Sequence, residues 1–124
     1  TAAKEETATA AMGAVVTFEG VVRDHDGGQP NVTLLSYSAH PSAPEKLQDV
    51  TDSVAANHPV RLWAAHRTGD LKVGDLAFAV VAAAAHRGDA FRAAEECADR
   101  VKAEVPIWKE QSHGDGSTNW VGLE

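Results

Sequence analysis

The run of ten apolar residues from Leu76 to Ala85 constrains the fold more than any other segment. It is too short for a membrane-spanning helix, which needs about 18 apolar residues. A short and nearly continuous apolar run of this kind is typical of a strand that is buried on both faces. We therefore predict that residues 76–84 form a buried central strand.

The patterns around this run predict five further strands and two helices in a single domain. Strands with only two helices between them indicate an α+β fold rather than a doubly wound parallel sheet. An extended piece without a firm assignment covers residues 68–75. The predicted strands are 14–23, 32–37, 60–65, 107–111 and 119–121, and the predicted helices end near Asn57 and at Pro106.

Capping signals predict where the two helices begin. Ser42 and Glu45 match a capping box, and Asp89 is a candidate cap for the second helix. Period-two geometry places Phe18 and Arg23 on opposite faces of the first strand. Gly20 is a candidate site for a β-bulge, which would bring the two side chains to the same face. The residues expected to share one face of the second helix are Phe91, Ala94, Ala98 and Val101.

Charge and cysteine content exclude several classes of function. Eleven basic and 18 acidic residues give a net charge of −7, which repels nucleic acid phosphates and anionic lipid. The single cysteine, Cys97, excludes an internal disulfide and a cysteine-rich zinc site. The polar segment Thr1–Ala11 predicts no signal peptide. We expect a loose segment over residues 1–12, one domain over 13–124, and a reducing, cytoplasmic environment.

An anionic substrate would require a local cluster of the few cations. His86 and Arg87 precede a predicted helix, whose free N–H groups favour anions, although a solvated arginine and a packing histidine explain them equally well. Lys102 and Lys109 flank a predicted chain reversal, and two adjacent ammonium groups lower each other's pKa. The alternative is that Lys102 forms a surface ion pair with Asp99.

Other residue types support little further chemistry. The remaining histidines have no spacing that is typical of metal ligands, so a histidine-dependent metal enzyme is a weak third interpretation. Cys97 lies among acidic residues, which raise a thiol pKa, and we interpret it as structural. Arg23 ends the first predicted strand and is placed to bind a phosphate or carboxylate, unless it is only a charged strand end.

Four sequence blocks follow one another in an order that is typical of one family. They are FEGVVRDHDGG at 18–28, HRTGDLKVGD at 66–75, AHRGDAF at 85–91 and KAEVPIWK at 102–109. Together with Asp115-Gly116 and Trp120-Val121, they resemble the large, catalytic subunit of molybdopterin synthase, the MoaE family. Any one block is weak, but four colinear blocks are specific.

The resemblance implies a fold, a reaction and a set of partners. The fold is of the α/β-hammerhead type, with mainly antiparallel sheet and two main helices. The reaction adds two sulfurs to cyclic pyranopterin monophosphate, which forms the dithiolene of molybdopterin. The sulfur arrives as a thiocarboxylate on the C-terminal Gly-Gly tail of a small ubiquitin-like subunit. Two large subunits form a homodimer within a heterotetramer, and no metal or other cofactor is needed.

Carried over position by position, the resemblance makes Lys102 and Lys109 the catalytic lysines. Lys102 is expected to make covalent or acid–base contact with the incoming acyl group, and Lys109 to bind substrate or assist proton transfer. The residues that the resemblance assigns to substrate binding are Arg23, His86, Arg87 and Phe18.

The sequence departs from the family pattern in three places. Residues 37–41 (YSAHP) replace a Tyr-Glu and a later Tyr and Met, and Gln111 stands where a glutamate commonly occurs. The segment before Gly13 is also shorter than the usual opening. If these changes mark a degenerate copy, the chain is a non-catalytic docking module for the Gly-Gly tail. A docking module has no need of two lysines beside a phosphate site, so we favour the enzyme.

Overall fold

The chain folds into seven strands and two helices within the part that the structure describes. The structure is a computed structural model that describes residues 9, 11–22, 32–113 and 118–122, with backbone only for 32–35, 109–113 and 118–122. The elements in chain order are β1 (Ala14–Val21), β2 (Val32–Ala39), α1 (Ala43–Asn57), β3 (Val60–His66), β4 (Gly69–Lys72), β5 (Leu76–Ala84), α2 (Arg87–Glu104), β6 (Ile107–His113) and β7 (Thr118–Gly122).

Strand β5 lies at the centre of a three-stranded sheet, as the apolar run predicts. It pairs antiparallel with β1 on one side and with β3 on the other. Every residue from Val80 to Ala84 is at most 2 % exposed. Small alanine side chains allow the covering elements to approach this strand closely, because protein interiors are close-packed.

The remaining strands form a separate four-stranded antiparallel sheet in the order β4-β2-β6-β7. The extended piece predicted within residues 68–75 contains β4, which pairs with β2. A turn at Gly74, where φ is +94°, connects β4 to β5. The α+β class and the antiparallel pairing are confirmed, although the strands divide between two sheets.

The two helices cover one face of the three-stranded sheet. α2 packs on β5, β1 and β3, while α1 packs on β3 and α2. Val54 of α1, Val80 of β5 and Val101 of α2 are completely buried in the core that these layers share. The guanidinium of Arg100 also donates to the Ser53 hydroxyl at 2.8 Å, which links the helices. No helix among the described residues is long and apolar enough to cross a membrane.

The predicted N-cap of α1 is at the right position but lacks its capping bond, and the predicted cap of α2 is wrong. Ser42 is the N-cap of α1, but its hydroxyl makes no capping bond and lies 2.8 Å from Nδ1 of His40 instead. The N-cap of α2 is His86, so Asp89 lies in the first turn and accepts a hydrogen bond from Arg92 at 2.7 Å. In each case another polar side chain close in sequence takes the capping group.

The pairing of β1 with β5 is irregular at Gly20, where we predict a bulge. Gly20 pairs with Phe78 and the next residue of β1 pairs with Leu76, so Ala77 is the extra residue. The position of the bulge is confirmed, but its extra residue lies on β5. Arg23 lies outside the described residues, and its facing stays a prediction.

Candidate active site

A groove of about 460 Å³ lies between β1 and α2. Strand β1 contributes one wall, and the residues from α2 share one helical face because they recur three or four positions apart. Much of the lining is apolar, and the alanines on α2 leave the groove open. The lining residues are Val16, Thr17, Phe18, Phe91, Ala94, Glu95, Ala98, Asp99 and Lys102.

Phe18 forms the aromatic part of the β1 wall. Its ring centroid lies 6.1 Å from that of Phe78, and the two rings meet edge to face at 62°. Phe78 is buried, whereas Phe18 is 37 % exposed and lines the groove. The buried ring therefore supports an aromatic surface that remains accessible from the groove.

Lys102 is the one lysine among the groove-lining residues. It is exposed and lies in the last turn of α2, where the partial negative charge of the helix end favours a cation. Within the described part of the chain it makes no ion pair, so the alternative pairing with Asp99 is not formed. Its ammonium group is therefore available to a molecule in the groove.

Lys102 and Lys109 lie on either side of a tight junction between α2 and β6. The amide of Ile107 donates to the carbonyl of Val105 at 2.9 Å within this junction. Lys109 stands opposite Tyr37 in the β2–β6 register. Only the backbone of Lys109 is described, so the convergence of the two amino groups stays a prediction.

The structure separates two of the predicted substrate-binding residues from Lys102. His86 and Arg87 are exposed at the N-terminal end of α2 and do not line the groove. At a rise of about 1.5 Å per residue, Arg87 lies about 22 Å along the helix from Lys102. Arg23 and the side chain of Lys109 fall outside the described parts. A single chain therefore does not bring Arg87 and Lys102 to one site.

The α2 wall includes residues whose place in the groove the sequence reasoning missed. Phe91 lies on one helical face with Ala94 and Ala98, as the spacing predicts, but it is 60 % exposed and stands in the groove. Glu95 and Asp99 add two carboxylates to the same wall as Lys102. The available signal was the spacing of four, four and three residues from Phe91 through Glu95 and Asp99 to Lys102.

Cys97 lies outside the groove lining, in the core. Burial raises the pKa of its thiol to about 11, and a hydrogen bond with Thr51 opposes that rise. The raised pKa agrees with the prediction, but its main cause is burial, and the charge of Glu96 contributes least. Within the described ranges, no group of three histidine, cysteine or acidic residues is placed to hold a metal ion.

Comparison with known proteins decides the family. The family model described as "MoaE protein" matches residues 1–104. The chain belongs to the MoaE family. Phe18, His86, Arg87 and Lys102 lie within the matched range, whereas Lys109 lies beyond it.

Relatives of this MoaE chain share both sequence and fold with it. Molybdopterin synthase catalytic subunit 1 of Mycobacterium tuberculosis H37Rv is 41 % identical over 115 residues, which are 90 % of this chain and 76 % of the relative. The crystal structure of molybdopterin synthase from Staphylococcus aureus matches with a TM-score of 0.88 and 36 % identity, over 96 % of this chain and 87 % of that one.

A more distant match supports the fold of this MoaE chain alone. It is a Helicobacter pylori protein–protein complex of subunits 1 and 2 of molybdopterin-converting factor, with a TM-score of 0.73 and 24 % identity. The match covers 90 % of this chain and 73 % of that one. The resemblance found in the four sequence blocks is confirmed, and so is the fold class.

Proposed function

We propose that this chain is the catalytic subunit of a molybdopterin synthase. In this reaction the thiocarboxylate of a small ubiquitin-like subunit transfers sulfur to cyclic pyranopterin monophosphate. Two such transfers form the dithiolene of molybdopterin. Relatives that carry this name match most of the chain, which supports the proposal.

The observation that carries the proposal is the position of Lys102. Its amino group has no ion-pair partner among the described residues and lines a groove with a largely apolar surface. A lysine in such a place can contact an acyl group and move a proton there. We assign Lys102 to the acyl end of the small subunit's tail and Lys109, beyond the junction, to substrate binding or proton transfer.

The groove also has a shape that suits the proposed sulfur donor. Ala94 and Ala98 present only methyl groups to it from α2. A Gly-Gly tail has no side chains, so it can enter where a bulkier chain would meet the helix. Phe18 on the opposite wall offers an aromatic face for contact with the tail or the pterin.

The charge balance of the groove requires further cations. Glu95 and Asp99 stand beside Lys102, while both the substrate phosphate and the thiocarboxylate are anionic. Arg23, His86 and Arg87 are the residues that we propose for substrate binding. Because Arg87 lies about 22 Å from Lys102 along α2, a shared site needs a second copy of the chain, which is consistent with the proposed homodimer.

The proposed assembly is a heterotetramer, in which two small sulfur-carrier subunits join the homodimer. A cytoplasmic location completes the proposal. A chain whose single cysteine can form no internal disulfide suits a reducing compartment.

Reconstitution tests this function directly. The purified chain is mixed with thiocarboxylated small subunit and cyclic pyranopterin monophosphate, and the dithiolene product is measured. We expect product with the thiocarboxylated subunit and none with the same subunit ending in an ordinary carboxylate. The S. aureus synthase serves as the positive control.

The same experiment separates the enzyme from the docking module. Binding of the small subunit with no dithiolene product, in a mixture where the positive control is active, would contradict the proposed activity and favour docking alone. Failure to bind the small subunit would contradict both interpretations.

A further inference from the structure

The turn that connects β2 to α1 is hydrogen-bonded to the junction between α2 and β6, which separates Lys102 from Lys109. The backbone amide of His40 donates to the carbonyl of Pro106 at 3.1 Å. The carbonyl of His40 accepts from the amide of Ala43 at 2.8 Å. His40 therefore belongs both to the turn that begins α1 and to the contact that holds the end of α2.

The side chain of His40 closes this turn. Its Nδ1 accepts a hydrogen bond from the Ser42 amide at 3.1 Å and lies 2.8 Å from the Ser42 hydroxyl. A backbone amide can only donate, so Nδ1 carries the lone pair and the neutral ring carries its proton on Nε2. The arrangement matches the one in which an Asn or Asp side chain accepts from the amide two residues ahead.

The pairing of β2 with β6 connects this turn to Lys109. The last residue of β2, Ala39, pairs with Ile107 at the start of β6. Two residues earlier, Tyr37 pairs with Lys109. A shift of the turn at His40 is therefore expected to move both the Pro106 carbonyl and the beginning of β6, which lie between the two lysines.

We propose that His40 is a positioning residue for sulfur transfer. Its ring shapes the turn whose amide holds Pro106, and this contact fixes the spacing of Lys102 and Lys109. The inference rests on the proposed function of the two lysines. His40 is exposed, and exposed hydrogen bonds contribute little to folding, so its main effect falls on geometry rather than on stability.

Three substitutions test the role of the ring in the reconstituted synthase. His40→Ala removes the acceptor, whereas His40→Asn supplies a carbonyl oxygen that can accept from the Ser42 amide. His58→Ala is the matched control, because that histidine lies at the end of α1 and contacts Glu96 rather than the junction. We expect His40→Ala to lower kcat about tenfold or more, since small displacements of catalytic groups are costly.

Four further results are expected, for the KM, the Asn variant, the His58 control and the tautomer of the wild-type ring. The KM for the small subunit stays within about twofold of the wild-type value, because His40 does not line the groove. His40→Asn recovers most of the lost kcat, and His58→Ala keeps the wild-type kcat. In the wild-type protein, ¹⁵N NMR should show His40 as the Nε2–H tautomer.

Wild-type kcat in His40→Ala would overturn the inference, and so would an Asn variant as impaired as the Ala variant. If His40→Ala does not fold, His40→Gln replaces it. The side-chain carbonyl of Gln lies one carbon farther from the backbone than that of Asn, so it is misplaced for the Ser42 amide. Equal kcat in the Asn and Gln variants then overturns the inference. A wild-type protein that forms no product contradicts the proposed function instead, so the two failures are distinguishable.

Discussion

Arg87 and Lys102 lie at opposite ends of one helix, about 22 Å apart along its axis. An α-helix of 18 residues does not shorten, so no movement of the loops around it brings the two side chains together. If both residues serve one sulfur transfer, they come from different copies of the chain. The site would then lie between two subunits.

Mixing two inactive variants tests this arrangement. Arg87→Ala and Lys102→Ala are each expected to lose most activity in the reconstituted synthase. When equal amounts of the two variants exchange subunits at random, half of the dimers contain one copy of each. Each mixed dimer has one intact site out of two, so activity should recover to about a quarter of the wild-type value. Product formation is measured before and after subunit exchange. No recovery, with exchange verified by native mass spectrometry, would contradict a shared site.

Lys102→Ala is the most direct test of the chemistry itself. We expect product formation to fall at least 100-fold, the usual order for removal of an acid–base or nucleophilic group. Because Lys102 is exposed and makes no ion pair within the described residues, the free energy of unfolding should stay within about 0.5 kcal/mol of wild type.

Lys46→Ala is the control for that substitution, since Lys46 is an exposed lysine in α1 and does not line the groove. It should retain wild-type activity and stability. Near-normal product formation by Lys102→Ala would refute the assigned role. Loss of folding in Lys102→Ala would contradict the prediction that this exposed side chain does not stabilise the fold.

Much of the fold was predictable because hydrophobic pattern and strand length determine it. The run at 76–84 indicates β5 as the central strand, and the structure places it between β1 and β3. The division into two sheets was not predictable, because it depends on which strands pair over long separations in sequence. The start of α1 after Ser42 was predicted correctly, whereas the start of α2 was missed because Asp89 bonds to Arg92 instead of capping.

The candidate site was predictable only in part. Sequence blocks indicated Phe18 and Lys102, and both line the groove although 84 positions separate them. The need to bind an anionic substrate led us to expect the candidate cations in one pocket. The length of α2 keeps Arg87 away from Lys102 within one chain. The role inferred for His40 depends on hydrogen bonds that a sequence pattern does not reveal.

Phe18 and Phe91 allow stability to be separated from function in the groove. Phe18→Ala removes the edge-to-face contact with Phe78 and should reduce the free energy of unfolding by about 1–2 kcal/mol. Phe91→Ala should cost less than about 0.5 kcal/mol, because that side chain is 60 % exposed. Urea unfolding measures both values, and equal losses would contradict the aromatic contact.

Both phenylalanine variants should nevertheless weaken the reaction, since both side chains line the groove. We expect the KM for the small subunit to rise about threefold or more in each, the effect of one lost apolar contact. An unchanged KM in both variants would indicate that the tail does not use this groove.

Cys97 makes the stability of the fold sensitive to alkaline pH. Burial raises the pKa of its thiol from 9.0 to about 11, so the unfolded chain loses this proton at a lower pH than the folded chain. The resulting stabilisation is full below pH 9 and is lost as the pH rises toward 11. We expect Cys97 to account for a loss of about 2 kcal/mol in the free energy of unfolding across that range.

Urea unfolding of the wild-type protein and of Cys97→Ala at pH 8 and at pH 11 isolates this contribution. The variant should be less stable at pH 8, because it leaves a small cavity beside Thr51. All other side chains are the same in the two proteins, so their contributions cancel in the comparison. The variant should therefore lose less stability than the wild type between the two pH values. Equal losses would mean that the thiol ionises with an ordinary pKa, which is incompatible with a buried cysteine in the core between α2 and the sheet.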